Sequence, residues 1–156
     1  MAGVVALLVG AVLLSACGGD GVHVERFGVS ASARSACPKL VAALPDRLAD
    51  QARRTVTGSA YSAAWGDPAI VLRCGVPLSK SFGSDPCFTR NGIGWSIPGK
   101  QADDLGEDLV MTLAFREPAV QVQVPAHYRP DGPSEVMADL DAVVRAHTTS
   151  TGEHCS

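Results

Sequence analysis

The sequence predicts an α+β fold: a two-layer sandwich in which an antiparallel sheet of three to five strands carries an N-terminal and a C-terminal helix on one face. Three observations predict it. Apolar residues recur at helical spacing near both ends of the chain, apolar and polar residues alternate at strand spacing between them, and the cysteines favour two disulfides. The 156 residues are enough for one domain with a substantial core.

The first part of the chain predicts a targeting signal. Residues 4–14 are apolar and uncharged, and the run is shorter than the ~20 residues that span a bilayer. It ends in the letters LSAC, which resemble the lipobox of bacterial lipoproteins, in which the cysteine is diacylated and becomes the new N-terminus. We therefore expect 1–16 to be a lipoprotein signal peptide and Cys17 to carry lipid on the extracytoplasmic face of the plasma membrane. A cleaved secretory signal or an uncleaved anchor is the alternative.

Residues 17–34 are rich in Gly and Ser and predict a flexible tether, followed by a single domain over 35–156. A short apolar patch at Val22, Val24 and Phe27 predicts either an added edge strand or a loose segment.

A first helix is predicted to begin near residue 37, with Pro38 in its first turn, where a missing N–H costs nothing. Its apolar stripe consists of Leu40, Leu44 and Leu48. Pro45 interrupts that stripe, so the helix either kinks there or restarts as LPDRLADQARR. Arg53 and Arg54 would then lie near a helix end, whose negative pole suits a cation.

The middle of the chain predicts strands. PAIVLRCG places Leu72 and Cys74 on one face and Arg73 on the other, and CFTRNGIGWSIPG contains the Asn-Gly pair typical of hairpins. DLVMTLAFR and AVQVQVPA alternate and are joined by a tight connection, so we expect them to pair antiparallel. Gln121 and Gln123 would then share a polar outer face with Arg73.

The last predicted element is a helix from about 133 to 146. Its buried stripe consists of Val136, Leu140, Val143 and Val144. The tail after it returns Cys155 to the body of the domain.

Assigning Cys17 to lipid leaves Cys37, Cys74, Cys87 and Cys155, an even number that outside the cytoplasm predicts two disulfides. Four cysteines allow three pairings. We favour Cys74–Cys87, which flank a loop rich in Pro, Gly and Ser. Cys37–Cys155 then follows at the two ends of the domain, because domain termini often lie close together.

The composition argues against a nucleic-acid partner: the net charge is −3 and only 5% of residues are aromatic. The sequence lacks G-x-S-x-G, H-E-x-x-H and Walker motifs, so we expect no catalytic residue, metal or cofactor. The acidic loop KQADDLGED is interpreted as a solvated turn. The four histidines are scattered: His23, His127, His147 and His154.

The run AWGDPAIVLRCG has two interpretations. Asp67 before Pro68 is typical of an Asx-type turn, with Trp65 packed against the sheet. Alternatively, a ligand or partner surface is formed by Trp65, Asp67, Arg73 and Trp95, with Asp67 and Arg73 in an ion pair or polar site.

Five features resemble one family: CPKLVAALPDRL, AWGDPAIVLRCGVP, NGIGW after a later Cys, FREPAVQVQVP and a closing helix. They resemble the domain of unknown function 3515 family, whose members look like small secreted or lipid-anchored envelope proteins of high-GC Gram-positive bacteria. The resemblance covers most of the chain from Cys37 onward. It implies a location and a fold relationship, but no activity. The family pattern tends to carry Gly where this chain has Phe115.

These observations predict a non-enzymatic, lipid-anchored envelope protein that binds an envelope protein partner or acts as an accessory in cell-envelope assembly. The alternative is a small-ligand carrier or an enzyme with a site near Trp65 and Trp95. A carrier needs a large apolar pocket between helices and sheet, and an enzyme needs convergent polar groups with shifted pKa values.

Overall fold

The computed structural model describes residues 21–80 and 82–155, so the predicted signal peptide and Cys17 lie outside the described residues. The helices are α1 (Ala31–Ala43), α2 (Gly99–Asp103) and α3 (Gly132–His147). The strands are β1 (Val22–Val24), β2 (Arg47–Leu48), β3 (Gln51–Arg54), β4 (Val56–Gly58), β5 (Ser62–Trp65), β6 (Ile70–Cys74), β7 (Cys87–Arg90), β8 (Ile93–Ser96), β9 (Leu109–Leu113), β10 (Arg116–Glu117), β11 (Val120–Val124) and β12 (Thr149–Ser150). None of the helices in these two ranges has the length and apolarity needed to cross a bilayer.

The main sheet has eight strands in the order β2-β3-β5-β6-β11-β9-β8-β7, and every neighbouring pair is antiparallel. This confirms the α+β class and the antiparallel sheet, whereas three to five strands was too few. The difference arises at the β2–β3 edge, where short strands pair through the backbone without a long alternating pattern. The predicted hairpins are present: β9 pairs with β11, and Asn91 and Gly92 form the turn between β7 and β8 with φ of 51° and 76°.

Helix α1 starts earlier than predicted. Ser30 caps it by accepting a 3.1 Å hydrogen bond from the Ala33 amide, and Pro38 lies inside the helix rather than in its first turn. The helix ends at Ala43 because Leu44 precedes a proline, which disfavours the helical conformation; Leu44 is extended, with ψ of 145°.

The predicted second helical piece, LPDRLADQARR, is wrong: this segment forms the hairpin of β2 and β3. Its turn holds Ala49 and Asp50 at φ of 45° and 60°, and the Ala49 amide donates a 2.8 Å hydrogen bond to Asp139 Oδ2 on α3. Leu48 is fully buried beside it. Burial and a contact from a distant helix therefore override the local helical propensity of Leu, Ala and Arg.

The core lies between the sheet and the two long helices, which share one face as predicted. The predicted stripe of α3 is buried in full: Val136, Leu140, Val143 and Val144. The sheet supplies alternate residues of its central strands, including Ile70, Leu72, Cys74, Leu109, Met111, Leu113, Val120, Val122 and Val124.

The opposite, outer face of the sheet carries a small ribbon. Strands β1 and β4 pair in parallel there, and Val24 packs with Ala64 and Val71 of the main sheet. The structure therefore corrects the predicted tether over 17–34: residues 22–24 belong to a strand and the helix begins at Ala31. The physical reason is burial, since Val24 is only 2% exposed.

Two disulfides join the four predicted cysteines, but the favoured pairing is wrong. The bonds are Cys37–Cys74, with Cα atoms 5.6 Å apart, and Cys87–Cys155, with Cα atoms 5.5 Å apart. Three strands separate β6 from β7 in the sheet, so Cys74 and Cys87 are about 19 Å apart at ~4.8 Å per strand, far beyond disulfide reach. Helix α1 instead packs across β6 and places Cys37 over Cys74.

Candidate functional site

The two tryptophans of the predicted ligand surface lie in the core. Trp65 is 0% exposed and Trp95 is 1% exposed, so neither offers a ring to a ligand at the surface. The Trp65 indole donates a 3.0 Å hydrogen bond to the Pro45 carbonyl, and the Arg53 guanidinium lies over its ring. Both side chains face the helices because their strand positions alternate onto the core side. The predicted surface is therefore wrong in these two members.

Asp67 and Arg73 are not brought together. Asp67 is exposed in the turn before β6, beyond the pair Trp65–Ile70, whereas Arg73 lies near the other end of β6, opposite Ser62. In the described ranges the ion pair present is Arg145–Asp141, not Asp67–Arg73.

The turn containing Asp67 is a packing site for Tyr128. The Tyr128 hydroxyl donates a 2.8 Å hydrogen bond to the Pro68 carbonyl, and burial raises the pKa of the phenol. A Cβ on Gly66 would lie 2.5 Å from that hydroxyl, and Gly66 has φ of 75°. This position therefore requires glycine for both close approach and backbone conformation, and the turn is part of the scaffold.

The predicted polar outer face is present, and its groups satisfy one another. Arg73 Nη1 donates to Gln123 Oε1 at 3.5 Å, and Gln121 Nε2 donates to Thr112 Oγ1 at 3.4 Å. Gln123 Nε2 also donates to Asp108 Oδ2 at 3.0 Å. This row of hydrogen bonds ties β6, β11 and the loop before β9 together.

The acidic loop is organised around an arginine. Arg129 Nη1 donates to the carbonyls of Gln101, Asp104 and Glu107 at 2.6, 2.7 and 3.1 Å. A guanidinium thus occupies the centre of the loop and satisfies the carbonyls at the end of α2. Across residues 21–80 and 82–155, His, Cys, Asp and Glu form no group arranged to hold a metal ion.

A cleft of about 440 Å³ opens where β6 ends and β11 begins. Its walls are the first turn of α1, the loop 75–78 and the turn 116–119. Gly75 brings these walls together: it has φ of 82°, its amide donates to the Ala119 carbonyl at 2.7 Å, and a Cβ there would lie 2.7 Å from the Ala33 Cβ.

A second cleft of about 290 Å³ shares Leu78, Arg116 and Glu117 with the first. Its floor is apolar and consists of Phe82, Leu113 and Phe115. Its rim carries the exposed carboxylates of Glu117 and Glu153. We call the two joined clefts the groove.

The C-terminal tail fixes one wall of the groove. Strands β10 and β12 pair antiparallel, and Arg116 donates from Nε to Thr148 Oγ1 at 2.7 Å and from Nη2 to the Thr148 carbonyl at 2.8 Å. The disulfide Cys87–Cys155 ties the end of this tail to β7. The guanidinium of Arg116 is thus directed to the tail, while the carboxylate of Glu117 faces solvent.

Two hydrophobic residues in the groove are unusual. Leu78 is 50% exposed, in contrast to the closed core. Phe115 lines the groove at φ of 56°, a left-handed conformation that is costly for a bulky residue. The sequence predicts Leu78 in a loop and Phe115 in the alternating strand DLVMTLAFR; the second prediction is wrong, because the strand ends at Leu113. The signals in the sequence are a Leu in a polar loop and a Phe where the family pattern tends to carry Gly.

The fold and this site define a small, disulfide-linked α+β domain with an open groove at one end of its sheet. The chain belongs to the family of proteins of unknown function DUF3515, whose sequence profile matches residues 1–151. No curated protein and no solved structure matches the chain. The resemblance drawn from the motifs is therefore confirmed.

Proposed function

We propose that this protein is a lipid-anchored, extracytoplasmic binding module of the cell envelope, and that its groove takes a segment of an envelope protein partner. The observation that carries the proposal is the groove itself: an apolar floor, a half-exposed Leu78 and an acidic rim lie side by side.

Two features support the location. Disulfides form and persist in oxidising compartments outside the cytoplasm, and the chain has two of them. The LSAC sequence before Gly18 supports acylation of Cys17.

The chemistry of the groove selects its partner. Phe82, Phe115 and Leu78 suit one or two apolar side chains, and a cleft of this volume holds a short segment rather than a whole domain. Glu117 and Glu153 at the rim favour a neighbouring Lys or Arg, since complementary charge steers association and selects between partners. The partner segment is therefore apolar with an adjacent basic residue.

A photo-crosslinking experiment in intact cells tests this function. Benzoylphenylalanine is placed at Leu78, and in a matched protein at Leu105, which is equally exposed at 53% but lies outside the groove. We expect a discrete protein adduct from position 78 and none of that size from position 105.

A charge reversal sharpens the same test. Glu117→Lys should lower the adduct from position 78 several-fold, whereas Glu135→Lys, an exposed carboxylate on α3, should leave it unchanged. Equal adducts from positions 78 and 105, or insensitivity to Glu117→Lys, would contradict the proposed groove.

A further inference from the structure

We infer that the outer face of the sheet, which carries β1 and β4, is turned toward the lipid surface, while α1 and α3 point away from it. The inference rests on the proposed lipidation of Cys17 and adds an orientation that lipidation alone does not supply.

The chain is held to the domain by hydrogen bonds and packing from Val22 onward. The Val22 amide donates a 2.8 Å hydrogen bond to the Thr55 carbonyl, and Val24 is buried against the outer face. Arg26 Nε then donates to the Gly58 carbonyl at 3.2 Å. From Val22 onward, the path of the chain is therefore part of the domain.

This anchoring leaves a short connection to the membrane. Five residue steps separate Cys17 from Val22, which span at most about 18 Å at ~3.6 Å per residue. A tether reaching to residue 34 would have allowed about 60 Å on the same measure. The pairing of β1 with β4 removes most of that reach.

The connection is shorter than the domain is wide. A domain of this length has a radius of gyration of about 14 Å, hence a width of about 37 Å. The chain leaves from the outer face, so a tether of about 18 Å cannot carry the helical face to the lipid surface.

The charges on the outer face agree with a lipid partner. Arg54 lies opposite Ala64, and Arg73 lies two residues beyond Val71, so both stand on the outer side with the exposed Arg26. Arginine side chains close to an anionic lipid surface are attracted to it. Three carboxylates lie on or near this side: Asp108 accepts a hydrogen bond from Gln123, the exposed Glu25 follows β1, and Asp67 and Arg54 both lie near Tyr128.

Energy transfer from a single exposed tryptophan measures the orientation. The lipidated full chain is reconstituted into phosphatidylglycerol–phosphatidylethanolamine vesicles with a dansyl-labelled headgroup. Thr57→Trp reports the outer face and Lys39→Trp reports α1; both positions are exposed, and the buried Trp65 and Trp95 contribute the same background to each.

We expect transfer to be several-fold higher from position 57 than from position 39. Inserting twelve Gly and Ser residues after Asp20 should abolish that difference. Equal or reversed transfer in the uninserted protein would overturn the inference. If Thr57→Trp does not fold, Glu25→Trp takes its place.

Vesicle flotation separates this inference from the proposed function. Wild-type protein should float with the vesicles and Cys17→Ser should not. Flotation that does not depend on Cys17 would refute the lipid anchor. Normal flotation with equal transfer from both tryptophans would refute the orientation alone.

Discussion

The guanidinium of Arg53 lies 5.7 Å from the centre of the Trp65 ring. In the same position it donates 2.8 Å hydrogen bonds to the carbonyls of Val41 and Leu44, at the end of α1. One side chain from β3 thus joins the sheet, the buried tryptophan and the C-terminus of the first helix. The sequence predicts an arginine near a helix end, but the helix is a different one.

Arg53→Ala should destabilise the fold. It removes two charge-assisted hydrogen bonds and a cation–π contact, for which we expect a loss of about 2–3 kcal/mol in the free energy of unfolding. Urea denaturation followed by circular dichroism measures it. Arg90→Ala is the control: Arg90 is exposed on β7, and its loss should change stability by less than about 0.5 kcal/mol. Similar losses in both variants would argue against the role of Arg53.

The disulfide Cys87–Cys155 should be reduced before the disulfide Cys37–Cys74. Cys37 and Cys74 are fully buried, whereas Cys87 and Cys155 are partly exposed, so a thiolate reaches the second bond first. Timed alkylation under native conditions, followed by peptide mass spectrometry, should label Cys87 and Cys155 before Cys37 and Cys74. The reverse order would show that α1 opens more readily than the tail.

Losing the buried disulfide should be costly. On the chain-entropy account, a loop of this length contributes about 4 kcal/mol, so Cys37→Ala with Cys74→Ala should lower stability by that order. Thermal unfolding of the double variant against wild type measures it. An unchanged melting temperature would mean that the packing of α1 on β6 stabilises the fold without the disulfide.

Phe115 should reverse the usual ranking of Ala and Gly. At φ of 56° an alanine keeps the backbone strain while losing the ring, whereas a glycine relieves the strain. We therefore expect Phe115→Gly to be about 1 kcal/mol more stable than Phe115→Ala. Chemical denaturation of both variants measures this difference. If Phe115→Ala is at least as stable as Phe115→Gly, the backbone at this position is not strained. Both should weaken the adduct from position 78, because both remove the ring from the groove.

Tyr128 and Gly66 should be energetically coupled. Gly66→Ala places a methyl group against the Tyr128 hydroxyl and forces alanine to a φ of 75°. We expect the cost of Gly66→Ala to fall in a Tyr128→Phe background, since the contact with the hydroxyl is removed while the contact with Gln51 and the backbone strain stay. A double-mutant cycle gives the coupling free energy. A value near zero would mean that the added methyl group does not contact the Tyr128 hydroxyl.

The same phenol predicts a pH effect. Burial raises the pKa of Tyr128, so folding favours the neutral phenol. Its contribution is fully present below the ordinary pKa of 10.0 and is lost as the pH rises through the higher folded value. Wild type should therefore lose more stability than Tyr128→Phe above pH ~10. If the unfolding free energies of the two proteins fall in parallel as the pH rises, this prediction is wrong.

The alternation of apolar and polar residues and the Asn-Gly pair were sufficient to predict the central strands, because in an alternating strand the residue type itself indicates which side chains are buried. The same holds for α3, whose four stripe residues are all buried. The β2–β3 hairpin was not predictable in this way, since its turn depends on the contact of Ala49 with Asp139, ninety positions away.

The site was harder to predict than the fold. Trp65 and Asp67 are candidates by residue type, because both are chemically distinctive. In the structure Trp65 lies in the core, and Asp67 belongs to a turn that packs against Tyr128. Leu78 and Glu117 lie in connections whose relative position depends on the order of strands in the sheet. That order also decides the disulfide pairing, which local loop composition could not reveal.

The pairing divides the chain into two covalently closed halves. Cys37–Cys74 lies wholly before the loop 75–86, and Cys87–Cys155 lies wholly after it, so only that loop carries a covalent link between them. Cleavage after the exposed Lys80 would yield two fragments that associate through β6 and β11 and separate in denaturant without any reductant. The loop is thus a natural division point for fragment complementation, with each half keeping its own crosslink.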